Sequence, residues 1–95
     1  MQRVSGTADE TGYLIALGQA IRTLRKELGL SQEALAHAAQ IDRSHMGKIE
    51  RGERNVTILN IVRICAALSC PASQLMSRAE NALPLAEQQP QNQPS

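Results

Sequence analysis

Arg43, Ser44, His45 and Lys48 gather hydrogen-bond donors into one short stretch, with Ser31 and Gln32 upstream and Arg54 and Asn55 just downstream. The chemistry open to such a set is recognition. An arginine guanidinium matches O6 and N7 of guanine bidentately, so Arg43 is the first candidate for reading a base edge, with Ser44 and His45 beside it. Ser31 and Gln32 would stand at a helix N-terminus, where unsatisfied N–H groups and the helix dipole favour a phosphate oxygen. Lys48, one turn beyond Arg43, suits the phosphate backbone better than a base. No nucleophile, base and orienting group cluster along the chain, so an enzyme is not expected.

These side chains need two short helices to position them. Ser31 is a good N-cap because its hydroxyl can accept from a backbone N–H one turn ahead, and Leu30 and Leu35 occupy the two positions of a hydrophobic staple. Asp42 repeats the pattern, with Ile41 and Met46 as its staple pair and a carboxylate that favours the positive end of the next helix. Caps at positions 31 and 42 leave room for a helix of about two turns and a tight connection. Leu35, Ala36, Ala39, Ile41, Met46 and Ile49 face inward, and Gln32, Arg43, Ser44, His45 and Lys48 outward. Gly52 ends the second helix, since glycine closes a helix cheaply at positive φ. In this arrangement the start of the second helix enters a DNA major groove.

The remaining elements follow from periodicity and caps. Residues 1–11 carry Gly, Ser, Thr and charges without periodicity and read as a flexible arm. Helix one runs from about Gly12 to Leu28 on the stripe Leu14, Leu17, Ile21, Leu24 and Leu28, and Gly29 stops it. Helix four is expected over about Ile58 to Leu68 behind Thr57 as N-cap, which makes Thr57 and Asn60 further phosphate candidates. Pro71 suits the first position of helix five, which ends near Leu83. Residues 12–83 thus make one domain, and 84–95, rich in Gln and Pro, read as a disordered tail.

The matching residues Ile21, Arg22, Leu24, Arg25, Gly29, Leu30, Ser31, Gln32, Glu33, Leu35 and Ala36, then Ile49, Glu50, Gly52, Thr57, Ile64 and Leu68, carry a specific resemblance. The stretch Leu30 to Asn55 resembles the helix-turn-helix of the lambda-repressor-like (Cro-type) DNA-binding family, and Leu17 to Leu75 resembles its five-helix domain. An all-α, compact five-helix fold is what that resemblance implies. Asp42-Arg43-Ser44, Ile49-Glu50-Arg51, Arg54-Asn55 and Thr57 are similar to a subgroup that includes the controller proteins of restriction-modification systems. In those similar proteins the loop after the recognition helix meets DNA, which implies that Arg54 reaches a base edge and Asn55 a phosphate. The family also pairs the arginine four residues before the helix-one glycine with the glutamate of Ile-Glu-x-Gly, implying a structural ion pair between Arg25 and Glu50. Two positions depart from the pattern: Gln40 and Ser69 stand where glycine is common, which predicts either a strained turn or a different loop geometry at Gln40 and a less relaxed cap at Ser69.

Composition narrows the alternatives. The net charge of +1 over 95 residues hides a modestly basic domain whose excess gathers on the recognition helix and the loop after it. Arg51 and Arg63 read as solvated surface. Tyr13 is the only aromatic residue, which argues against stacking platforms for single-stranded nucleic acid. No apolar run approaches the roughly 20 residues of a membrane span, and the N-terminus has no signal-peptide core, so a cytoplasmic location is expected. Cys65 and Cys70 read as small buried hydrophobes, and their spacing with His37 and His45 lacks the close pairs of zinc modules; no metal or cofactor is expected.

The leading expectation is a sequence-specific regulator of transcription that binds double-stranded DNA as a homodimer on an inverted repeat, with helix five (Leu75, Met76, Ala79, Leu83) as a candidate dimer surface. The alternative is an antitoxin-like protein-interaction module that also binds DNA, its free tail holding a protein partner.

Overall fold

The computed structural model describes residues 9–83. Five helices follow one another: α1 Tyr13–Glu27, α2 Gln32–Ala39, α3 Arg43–Glu50, α4 Ile58–Ala67 and α5 Ala72–Asn81. The caps are local and decide the starts. Ser31 Oγ accepts from Ala34 N at 3.0 Å, Asp42 Oδ2 from Ser44 N at 3.1 Å, and Thr57 Oγ1 from Asn60 N at 3.1 Å. Helix α1 starts differently from the expectation. Asp9 and Thr11, placed by sequence in a flexible arm, build its entry: the Asp9 carboxylate accepts from the N–H groups of Thr11 and Leu14, and Thr11 Oγ1 from Tyr13 N. The rest of the expected arm, and the tail 84–95, lie outside the described residues.

The helix stops share one device. Leu30, Ile41, Glu53 and Cys70 donate their N–H groups to carbonyls five residues back, at 2.9–3.0 Å, and the residue before each has positive φ. Glycine fills that left-handed position at Gly29 and Gly52, whereas Gln40 (φ 59°) and Ser69 (φ 57°) adopt the same conformation against a Cβ penalty. The departures at Gln40 and Ser69 therefore keep the turn geometry and carry its strain. Pro71 caps α5 from one position before the helix rather than opening it, and α5 ends at Asn81.

One core joins all five helices. Ile21, Leu35, Met46, Ile49, Ile64 and Leu75 are its largest fully buried side chains. Helix α5 lies along α1, which also packs against α3, while α2 sits between α3 and α4. Helix five, the candidate dimer surface, divides its apolar residues by depth. Leu75 and Ala79 are fully buried against the core, and Met76 and Leu83 are half-buried and packed on it, so the apolar face of α5 is already covered. Cys65 is buried and Cys70 half-buried beside it. Burial pushes the Cys65 thiol up to about 11, with the neighbouring Cys70 adding to the shift.

Candidate nucleic-acid interface

Helix α3 is held from behind by an ion pair. Arg25 Nε donates to Glu50 Oε2 at 2.7 Å and Nη2 to Oε1 at 3.0 Å, with side-chain exposures of 10% and 3%. The third guanidinium nitrogen, Nη1, donates to the Leu30 carbonyl at 2.9 Å, so one arginine also fixes the chain entering α2. Glu50 accepts once more, from Gln32 Nε2 at 3.0 Å. The last residue of α3 and the first of α2 are thereby tied together, and the buried charges are fully paired.

Close approach to α1 sets the depth of α3. A Cβ at Gly18 would overlap the Glu50 carbonyl oxygen and stand 2.6 Å from that of Ile49, so only glycine lets α1 and α3 meet there. Gly52 is constrained twice: its φ is 76°, and a Cβ would stand 2.7 Å from the Ile15 backbone.

On the outer side, a groove opens between the N-terminus of α2 and the length of α3, lined by Gln32, Asp42, Arg43, Ser44, Gly47, Lys48 and Arg51. Four residues proposed from sequence, Gln32, Arg43, Ser44 and Lys48, meet there. Ser31, His45, Arg54, Asn55, Thr57 and Asn60 lie outside its lining. Arg43, Ser44, Arg54, Asn55, Ser31 and Thr57 are exposed, and His45, Lys48, Gln32 and Asn60 are half-buried. Among the described residues no hydrogen bond or ion pair engages the side chains of Arg43, Lys48 or Arg54, which leaves their donors available to a ligand.

Other donors are already engaged. Ser44 Oγ donates to Asp42 Oδ2 at 2.7 Å, and that hydroxyl holds the Asp42 carboxyl below the usual carboxylate range. Ser44 can therefore offer a lone pair to a ligand while its proton stays with the cap. The Gln32 amide is likewise anchored on Glu50, so any phosphate at this helix start would meet the backbone N–H groups of α2.

Arg51 and Gly47 were missed from sequence as parts of this groove. Arg51 is exposed, as expected, and pairs at the surface with Glu53: its Nε donates to Glu53 Oε2 at 2.9 Å, and Nη2 to Oε1 at 3.3 Å. A Cβ at Gly47 would stand 3.2 Å from Gln32 Oε1 and 3.3 Å from Arg51 Nη1. The available signal was the glycine itself, costly inside an eight-residue helix unless something approaches closely.

Residues 21–75 match the protein family described as Helix-turn-helix, which spans α2 and α3 together with the helices that brace them. The chain belongs to this helix-turn-helix family. Within it, the chain is 40% identical over 67 residues to the control protein C.MunI of a Mycoplasma species, covering 70% of this chain and 90% of that protein. The crystal structure of the restriction-modification controller protein C.AhdI from Aeromonas hydrophila superposes with a TM-score of 0.64 at 45% identity, covering 65% of this chain and 94% of that one. The biofilm master regulator SinR, solved in complex with DNA, superposes with a TM-score of 0.60 at 33% identity, covering 63% and 97%. These relatives are controllers and regulators by name. Among the described residues, no single helix is long and apolar enough to cross a membrane.

Proposed function

We propose that the chain is a sequence-specific, double-stranded DNA-binding regulator of transcription, acting as a cytoplasmic homodimer on an inverted-repeat operator and carrying no catalytic activity. The observation that carries this reading is the groove beside α3, where cationic side chains without internal partners stand on a helix braced from behind by a buried ion pair. A recognition helix must keep its register while its outer face stays open, and the brace and the exposed Arg43 satisfy both needs. The names of the relatives, controllers of restriction-modification systems and a regulator solved with DNA, support the same reading.

In this mode Arg43 reads a base edge from the start of α3, with Ser44 as an acceptor and His45 beside them, and Arg54 extends the footprint from the loop. Ser31, Lys48, Asn55, Thr57 and Asn60 hold phosphates, as do the backbone N–H groups at Gln32. Arg51, fixed by Glu53 at the groove's edge, adds a phosphate contact. A single copy covers too few base pairs to be selective, whereas two recognition helices about 34 Å apart read two half-sites.

Selection from a pool of random duplexes, followed by salt titration of the winning sequence, tests this reading. The expected result is an enriched palindrome bound with a steep negative dependence of log K on log salt concentration. A slope near zero, or a pool that enriches no palindrome, would overturn it.

A further inference from the structure

The cations beside α3 share one acid. Arg51 turns two guanidinium nitrogens to Glu53, with Nε donating to Oε2 at 2.9 Å and Nη2 to Oε1 at 3.3 Å. That leaves Nη1, the nitrogen that would lie 3.3 Å from a Cβ built on Gly47 in the groove. Arg51 lines the groove and Glu53 does not, so the carboxylate holds the guanidinium from outside it. The backbone puts Glu53 there: its N–H closes the stop of α3 on the Lys48 carbonyl at 2.9 Å, just after Gly52 in the left-handed conformation. Lys48 and Arg54 share the same field. The hydrogen bonds from Arg51 hold the Glu53 carboxyl below the usual carboxylate range, desolvation opposes them, and the charges of Arg51, Lys48 and Arg54 add to the lowering. One exposed carboxylate thus acts on three of the four arginines and lysines assigned to DNA. The fourth, Arg43, opens α3 at its other end.

We propose that Glu53 is a specificity-determining residue, which offsets the positive charge that would bind phosphates of any sequence and spares the base-reading Arg43. The inference rests on the DNA-binding reading above and adds to it the residue that limits indiscriminate binding. Sequence-independent affinity comes from cations that neutralise phosphates and release counterions. A phosphate approaching Arg51 meets a guanidinium whose charge is shared with Glu53, and it meets the repulsion of the carboxylate itself. Contacts at Lys48 and Arg54 feel that repulsion through space, subject to screening by salt. Arg43 discriminates by hydrogen-bond geometry at a base edge, where no anion has to approach. The penalty therefore falls on backbone contacts, and the ratio of operator to random-sequence affinity rises. Glu53 is a positioning residue in this scheme, acting through Arg51 rather than touching DNA.

The test is binding of the full chain to two duplexes of equal length, the selected operator and a scrambled sequence, over a series of salt concentrations. Glu53→Gln keeps the shape and one acceptor oxygen and removes the charge. It should bind the scrambled duplex roughly 2- to 5-fold tighter, the range set by freeing one exposed ion pair. Its log-log salt slope should steepen by up to about 0.9 per copy. Operator affinity should rise less, so the specificity ratio falls. Melting should stay close to wild type, since the side chain is exposed. In an Arg51→Ala background the same substitution should have a much smaller effect. Glu27→Gln makes an equal charge change at an exposed pair with Arg78 and should leave both affinities unchanged. Unchanged or weaker binding of the scrambled duplex by Glu53→Gln overturns the proposal. So does an equal gain on both duplexes, or the same gain from Glu27→Gln, which would make net charge alone the cause. Failure of the DNA-binding reading looks different: wild type then binds neither duplex in a salt-dependent way, and the proposal falls with it.

Discussion

Arg25 and Glu50, 25 positions apart in sequence, meet through two parallel hydrogen bonds of 2.7 and 3.0 Å beneath the recognition helix. Removing one partner would strand the other charge in the interior, and Glu50 also holds Gln32. Glu50→Ala is expected to destabilise the fold by about 3 to 5 kcal/mol. Urea denaturation checks this, and a loss below about 1 kcal/mol would mean that the pair is not structural.

Gly18 sets the separation of α1 and α3. The atoms that an added Cβ would meet are backbone carbonyls of Glu50 and Ile49, which cannot rotate out of the way as a side chain can. Gly18→Ala is expected to cost about 1 to 3 kcal/mol or more despite alanine's better helix propensity. A melting temperature equal to or above wild type would show that the two helices separate without penalty.

Gln40 and Ser69 sit in left-handed conformations that glycine adopts without a Cβ penalty. The left-handed region costs an ordinary residue roughly 1 to 2 kcal/mol, while glycine gives back about 0.5 to 1 kcal/mol in chain entropy. Gln40→Gly and Ser69→Gly are each expected to raise stability by about 0.5 to 1 kcal/mol. If both lower the denaturation midpoint, their side chains contribute contacts that outweigh the strain.

Arg43 and Lys48 separate base reading from phosphate holding. Arg43→Ala should lose about 1 to 3 kcal/mol of affinity and relax preference at one base pair, whereas Lys48→Ala should weaken all sequences alike and flatten the salt dependence. Competition binding against single-base operator variants distinguishes them. Uniform losses from both substitutions would place Arg43 on the backbone.

Cys65 links stability to alkaline pH. Its thiol is raised from 9.0 to about 11, chiefly by burial, so the folded state retains a proton that the unfolded chain releases. Between those values the unfolded state binds fewer protons, and stability falls as pH rises; below about 9 the contribution is fully present. Denaturation of wild type and Cys65→Ala between pH 8 and 11 should give a steeper decline for wild type. Parallel curves would exclude the thiol as the cause.

The sequence by itself determined the two capped helices and their outward polar residues, because those signals act within a few residues. Ser31 accepts three positions ahead and Asp42 two, and the left-handed stops at Gly29 and Gly52 are single-residue events. The Arg25–Glu50 pair was legible only through family resemblance, since its members lie far apart in the chain. What tertiary structure alone decided depends on long-range packing. It engaged the Gln32 amide with Glu50 across 18 residues and pressed Gly18 against the backbone of α3. It also settled which apolar face stays uncovered. Apolar periodicity identifies a face that seeks cover, but α1 covers α5 while Ile58, Leu59 and Val62 of α4 stay open, and that choice belongs to how five helices share one small core.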